Sequence, residues 1–240
     1  MKIEDTSGKE ISTLEEWAEL YNNPQQSHQW KQHRSAYSVA EFLLNHNGTE
    51  AIQARLSDAL GCDVQLDRAI PEYEVRFDKF GKGRMHDLGI FGHTDEGRSV
   101  FIGVEAKVDE SFGASTLDQY LHAKAKQIVG GVTNAPQRIE DLLSLHFKNG
   151  DRSMFDVRYQ LLYATAGTLA EEADIHILYV IVFKTLLYDE SIGANNYSDY
   201  IQFMDKVGAT PHNLPAMEAV GHKLTLEDKE LVCLYEYFTL

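Results

Sequence analysis

Arg84-Met-His-Asp-Leu-Gly-Ile-Phe-Gly92, the polar break His93–Ser99 and Val100-Phe-Ile-Gly-Val-Glu-Ala-Lys107 read as two strands joined by a hairpin loop. Side chains alternate along a strand. Phe101, Gly103, Glu105 and Lys107 therefore share one face, and Val100, Ile102, Val104 and Ala106 share the other. The second face is wholly apolar and belongs in a core. The first ends in a carboxylate and an ammonium. Asp87, on the face of Gly89 and Phe91, is expected opposite Glu105, with Gly89 and Gly103 leaving space beside them. Two carboxylates and a lysine at one end of a hairpin suit a hard cation that takes oxygen ligands, such as Mg²⁺. A lysine there can hold an attacking water or offset charge on phosphorus. The bland alternative is an exposed Glu-Lys pair at a strand end, worth little energetically.

Asp87 followed by Glu105-Ala106-Lys107 resembles the PD-(D/E)XK nuclease superfamily, the restriction-endonuclease-like phosphodiesterases. The E-x-K half is intact. His86 stands where the name has proline, a position that varies among members. The run Val108-Asp-Glu-Ser-Phe-Gly113 is similar to the acidic, glycine-ended turn that follows E-x-K in some of them, which makes Glu110 a second-tier candidate.

The resemblance implies a metal, Mg²⁺ or Mn²⁺, on Asp87 and Glu105 with the Ala106 carbonyl as a third oxygen. It implies Lys107 as the group that positions the nucleophilic water, and in-line attack that leaves a 5′-phosphate. Glu41, on the first core helix, matches the acidic residue that many members carry near the metal; the alternative is a local pairing with Ser38 or plain solvation. Arg158 and Gln160 resemble polar positions on the helix after E-x-K. The implied substrate is nucleic acid, DNA first.

The remaining elements fit that frame. Ser12-Thr-Leu-Glu-Glu-Trp17 looks like a capping box leading into a short helix through Tyr21. Ser35 is a good N-cap for a helix over 36–45, and a second helix over 50–60 ends at Gly61. Cys62 to Leu66 reads as a short strand. Glu72 to Asp78 alternates as a half-buried strand; Glu74 on its wet face is a further, weaker candidate. Lys79-Phe-Gly-Lys-Gly-Arg84 joins it to the next strand. Lys79, Lys82 and Arg84 make this loop the best local phosphate contact, and its glycines allow close approach. Helices are expected over 115–129, briefly around 139–146, and over 156–172, which would put Arg158 in a first turn. Ile175 to Lys184 is apolar throughout and reads as a central, parallel strand buried on both faces. A surface helix over 197–207, an irregular stretch over 211–221 and a last strand over 231–238, at an edge, complete the chain. Residues 1–10 read as extended or loose.

The order is thus αβββαβ over about residues 35–185. The expected fold is α/β, a restriction-endonuclease-like core with a mixed central sheet flanked by helices and additions at both ends. The whole chain, 1–240, is one domain.

Composition sets the limits. The 240 residues are 43% hydrophobic and 25% charged, ample for a core. The net charge of −15 argues against tight non-specific nucleic-acid binding, and leaves a local basic rim formed by Lys31, Arg34, Lys79, Lys82, Arg84 and Arg158 as the expected contact. Cys62 and Cys233 lie in apolar segments and read as buried free thiols of a reducing, cytoplasmic compartment. No signal peptide is evident, and Ile177 to Phe183 is far too short for a membrane span. A homodimer is left open. So is a catalytically idle member of the superfamily, a binding or interaction module, which the acidity favours and the intact Asp, Glu and Lys oppose. A motif present by chance in a protein-binding module on another α/β fold is the third reading. A Glu105 without partners would make Glu105→Gln neutral or stabilising in the absence of metal.

Overall fold

The structure is a computed structural model that describes residues 1–22, 29–148, 150–214 and 219–240. It is an α/β protein built on one mixed sheet of eight strands, in the order β1-β2-β3-β4-β5-β8-β7-β6. The strands are β1 (Lys2–Ile3), β2 (Val64–Val75), β3 (Arg84–Thr94), β4 (Ser99–Lys107), β5 (Ile175–Lys184), β6 (Thr210–His212), β7 (Ala219–Leu226) and β8 (Lys229–Thr239). Among the described residues there are seven α-helices: α1 (Leu14–Ala18), α2 (Ser35–Asn45), α3 (Gly48–Leu60), α4 (Thr116–Ile128), α5 (Ala135–His146), α6 (Tyr159–Ala170) and α7 (Glu190–Lys206).

Strands β2, β3 and β4 run antiparallel, and β4, β5 and β8 run parallel. A parallel step needs a crossover, and α4, α5 and α6 supply it between β4 and β5. Every residue from Val100 to Lys107 and from His176 to Phe183 is buried, as a strand covered on both faces requires. Val104, Ala106, Tyr179 and Ile181 pack toward α2 and α3. Leu178, Val180 and Val182 pack toward α5, α6 and α7. Each fully buried aliphatic side chain of this kind contributes roughly 1.5–3 kcal/mol, so both faces are anchored. No helix of the described residues is long and apolar enough to cross a membrane.

Several expectations need correction. Residues 1–10 are not loose. Lys2 and Ile3 pair with Arg68 and Ala69, and Ile3 and Ile11 are buried. A two-residue edge strand is held by backbone bonds, which leave no hydropathy pattern. The short strand read over Cys62 to Leu66 and the strand read over 72–78 are parts of one strand, β2, which starts at Val64 and stops at Val75. Glu74 Oε1 accepts from Gly83 N–H at 2.6 Å and so closes the loop early.

The helix read from 156 begins only at Tyr159, so Arg158 precedes it. The Val157 carbonyl accepts both the backbone N–H and the hydroxyl of Thr116, and that bond pins the chain extended there. β8 is interior rather than an edge, because the hairpin turn Glu227-Asp228, both residues at positive φ, folds β7 against it. The stretch read as irregular holds β6 and the start of β7; its residues 215–218 lie outside the described residues, as do Asn23 and Pro24, read as the end of the first helix. Cys233 is buried, but Cys62 is half-exposed.

Candidate active site

The hairpin of β3 and β4 pairs from His93–Ser99 to Leu88–Val104, and there the ladder ends. One residue further, Asp87 takes over with its side chain. Its Oδ2 accepts the N–H of Ala106 at 2.6 Å, in place of a backbone carbonyl. The carboxylate therefore lies in the gap between the strands, next to the residue that follows Glu105. Strand β2 breaks alternation at the same level, where Glu72 has φ +50°. This double break reverses the faces below it. Gly89 pairs with Gly103, yet His86, three residues before Gly89, also lies against Gly103. Strict alternation would have sent His86 and Arg84 to the other side.

Both turn under α6, where Arg84 meets Glu105 and His86 lies against Gly103 and Gly167. Glu105 is 1% exposed. Its Oε2 accepts from the Arg84 guanidinium, and its Oε1 from Lys107 Nζ at 2.8 Å and from the Gln160 side-chain amide. Two glycines make room. A Cβ on Gly167 would meet Arg84 Cβ at 2.6 Å, and one on Gly103 would meet the His86 ring at 2.7 Å. Burial lowers the pKa of Arg84, against the pull of Asp87, but a guanidinium stays charged regardless. Burial also lowers the pKa of Lys107, opposed by Asp87 and Glu110. Burial and then the Arg84 charge push His86 well below its ordinary value, so its ring is neutral. Both His86 ring nitrogens and Arg84 Nε have no hydrogen-bond partner among the described residues.

On the other side, Asp87 lines a recess of about 410 Å³ with Glu72, Glu110, Lys82, Ser35 and Ala36. The Tyr21 hydroxyl donates to Glu72 at 2.6 Å. Burial first, and the charge of Asp87 second, raise the Glu72 pKa to about 7. Glu110 is held by the N–H groups of Val108 and Asp109, at 3.2 and 3.0 Å. A cavity of similar size, about 420 Å³, opens near Ile175 and Glu230. Its polar groups are largely engaged: Lys223 faces Glu230 at 3.3 Å, and His176 and His212 bond carbonyls at 2.9 and 2.6 Å.

Asp87, Glu105 and the Ala106 carbonyl are hard oxygen donors, so in kind they suit Mg²⁺ or Mn²⁺. The Asp87 Oδ1 accepts no hydrogen bond among the described residues, whereas both Glu105 oxygens are engaged. Among the described residues, no three His, Cys, Asp or Glu side chains form a ready metal cluster.

The other expected residues divide. Gln160 reaches Glu105 itself. Lys82 lines the recess and is exposed, and Lys79 is exposed beside the Phe80 ring. Glu41 is half-buried on α2 but does not line the recess. The basic rim is smaller than expected. Arg84 is buried on Glu105, Arg158 pairs with Asp199 at 2.8 Å, and Arg34 with Asp109 at 3.2 Å. Glu74 closes a loop rather than facing the site. Arg84 was expected on the phosphate-binding rim rather than on Glu105, and His86, Glu72 and Tyr21 were missed as parts of the site, because only the break in alternation brings them in. Glu105 has three partners, so the expectation that its neutralisation would be harmless is reversed.

No curated protein and no solved structure matches the chain significantly. A family model matches residues 10–235, which include every residue of this site. The chain belongs to the family described as Domain of unknown function (DUF6946).

Proposed function

We propose that the chain is a metal-dependent phosphodiesterase that cleaves nucleic acid, DNA first, on a restriction-endonuclease-like core. The observation that carries this reading is the end of the hairpin. Asp87 contacts the backbone between Glu105 and Lys107, and these three residues sit on the second and third strands of a meander whose fourth strand, β5, is parallel to the third. Helix α2 before the meander and helix α6 before β5 complete the αβββαβ order of the superfamily the motif resembles.

Asp87 and Glu105, with the Ala106 carbonyl, would hold Mg²⁺ or Mn²⁺. When bound, such an ion offsets phosphoryl charge and lowers the pKa of water. Lys107 donates toward the site and orients the attacking water. Gln160 holds Glu105 in place. Lys82 and Lys79 contact flanking phosphates. A second reading, an idle module that keeps the fold, is favoured by one observation: Glu105 is closed off by Arg84.

Supercoiled plasmid, single-stranded DNA and RNA, each incubated with Mg²⁺ or Mn²⁺ and with wild type or Lys107→Ala, separate the two. Metal-dependent cleavage by wild type, reduced at least about 100-fold in Lys107→Ala, is expected for general acid–base or water-positioning loss. Cleavage equal in both proteins, or none on any substrate, rejects the enzyme reading.

A further inference from the structure

The metal-dependent reading assigns Glu105 to a cation, yet Glu105 already has one. We propose that Arg84 is a built-in counter-cation of the site, which a divalent metal must displace from Glu105 before it can bind. This proposal rests on the metal-dependent reading above and adds a regulatory contact to it.

Three observations carry it. The guanidinium of Arg84 takes the Oε2 of Glu105, while Lys107 and Gln160 share the other oxygen. No lone carboxylate oxygen is left on Glu105 for a metal. Next, Arg84 is incompletely satisfied. Its Nε has no partner among the described residues, and neither does either nitrogen of the neighbouring His86. A buried donor left unpaired is costly, and an arginine placed only for stability would be expected to use its fork fully. Third, Arg84 has somewhere to remain. Its Cζ lies 5.5 Å from the Tyr163 ring centroid, a cation–π contact that does not depend on Glu105.

Electrostatics makes the two cations exclusive. Glu105 pairs directly with Arg84 and Lys107, and the charge of Asp87 acts on both from the strand gap, so the two cations are balanced before a metal arrives. A divalent ion brought to the same buried carboxylate would repel the guanidinium strongly, because low dielectric magnifies the interaction. The metal affinity of the wild type is therefore the outcome of a competition.

Metal binding, read by calorimetry with Mn²⁺ and Mg²⁺ on wild type, Arg84→Met and Glu105→Gln, tests this. Methionine keeps the aliphatic stem that packs on Gly167 and removes the charge. Arg84→Met should bind metal about ten-fold more tightly or better, and Glu105→Gln should lose binding. Should Arg84→Met not fold, the wild type still decides. In a ¹⁵N-arginine spectrum, the Arg84 Nε–H resonance should shift as metal saturates the site. Unchanged or weaker affinity in Arg84→Met, or an Arg84 resonance that ignores bound metal, overturns the proposal while loss of binding in Glu105→Gln leaves the metal site standing. Absence of binding in both wild type and Arg84→Met overturns the proposal and the metal-dependent reading together.

Discussion

Arg55–Glu236 and Arg84–Glu105 are both arginine–carboxylate pairs built on a buried glutamate, and they lie on opposite faces of the same sheet. Arg55 uses its fork fully. Its Nε and Nη2 donate to Glu236 at 2.8 and 2.5 Å, and its Nη1 lies 3.6 Å from Asp58. The Tyr179 hydroxyl completes Glu236. The pair ties α3 to β8. Among the described residues Arg84 Nε and the neighbouring His86 ring have no hydrogen-bond partner, and Asp87 nearby lines a recess. Buried charge pairs are weak evidence for stability on their own. What distinguishes these two is completeness: Arg55 meets its carboxylate through two nitrogens, whereas Arg84 keeps a buried nitrogen without a partner among the described residues.

The largest expected effects come from breaking each pair in turn. Glu236→Gln and Glu105→Gln each leave buried cations without their carboxylate, Arg55 in the first and Arg84 with Lys107 in the second. Each should cost on the order of 3–5 kcal/mol in denaturant melts without metal. Divalent metal then separates them. At about 100 times its dissociation constant, a bound ion adds about 2.7 kcal/mol to stability. Glu236→Gln should keep that gain and Glu105→Gln should lose it. A metal gain that survives in Glu105→Gln would place the ion elsewhere and erase the contrast between the pairs.

Glu72 sharpens the comparison from the recess side. A solvated glutamate titrates near 4.3, whereas burial and the adjacent Asp87 lift Glu72 to about 7. Between these values the folded chain holds a proton that the unfolded chain has lost. Stability from this group is complete below the lower value and is lost as pH rises through the higher one. The full difference is on the order of 3–4 kcal/mol. Glu72→Gln keeps an acceptor for Tyr21 and removes the titration. With chelator present, the variant should gain stability over wild type between pH 5 and pH 8, by up to that amount. Parallel urea melts at the two pH values check it, and a constant difference would mean that Glu72 is solvated.

The reach of the sequence ended at that same break. Strand β5 was legible because an apolar run of its length has few alternatives, and β4 because its apolar face is unbroken. Glu105 and Lys107 share a face as alternation requires, but Asp87, expected on that face, turns toward α2 with Leu88 and lines the recess on the other side. Arg84 and His86 could not be placed by alternation either, since Asp87 drops out of the ladder and shifts their faces. That event depends on a side-chain bond to the backbone of another strand, and it leaves no periodic trace. Arg158 was misplaced for a related reason: the bond from Val157 to Thr116 delays the helix and turns the arginine toward Asp199. Turn Glu227-Asp228 lacks the glycine or asparagine that usually marks a hairpin, so β8 looked like an edge.

The smallest effects concern the surface cations, where the same distinction between spent and spare charge applies. Arg34, Arg84 and Arg158 are each committed to a carboxylate, whereas Lys79 and Lys82 have no acidic partner within salt-bridge reach among the described residues. Nucleic acid should therefore be held by few phosphates. Each neutralised phosphate adds about −0.9 to the log–log salt slope on duplex DNA, so a slope near −2 is expected with Ca²⁺ present to prevent turnover. Lys82→Ala should reduce that slope by about one. Arg158→Ala should leave it unchanged, and its loss of a half-exposed ion pair should cost no more than about 1 kcal/mol of stability. Binding isotherms at four or five salt concentrations distinguish the two variants. A slope reduced by about one in both would mean that the Arg158–Asp199 pair opens on the ligand, and a slope unchanged in both that Lys82 meets no phosphate, because a cation that counts toward counterion release has to be free to meet one.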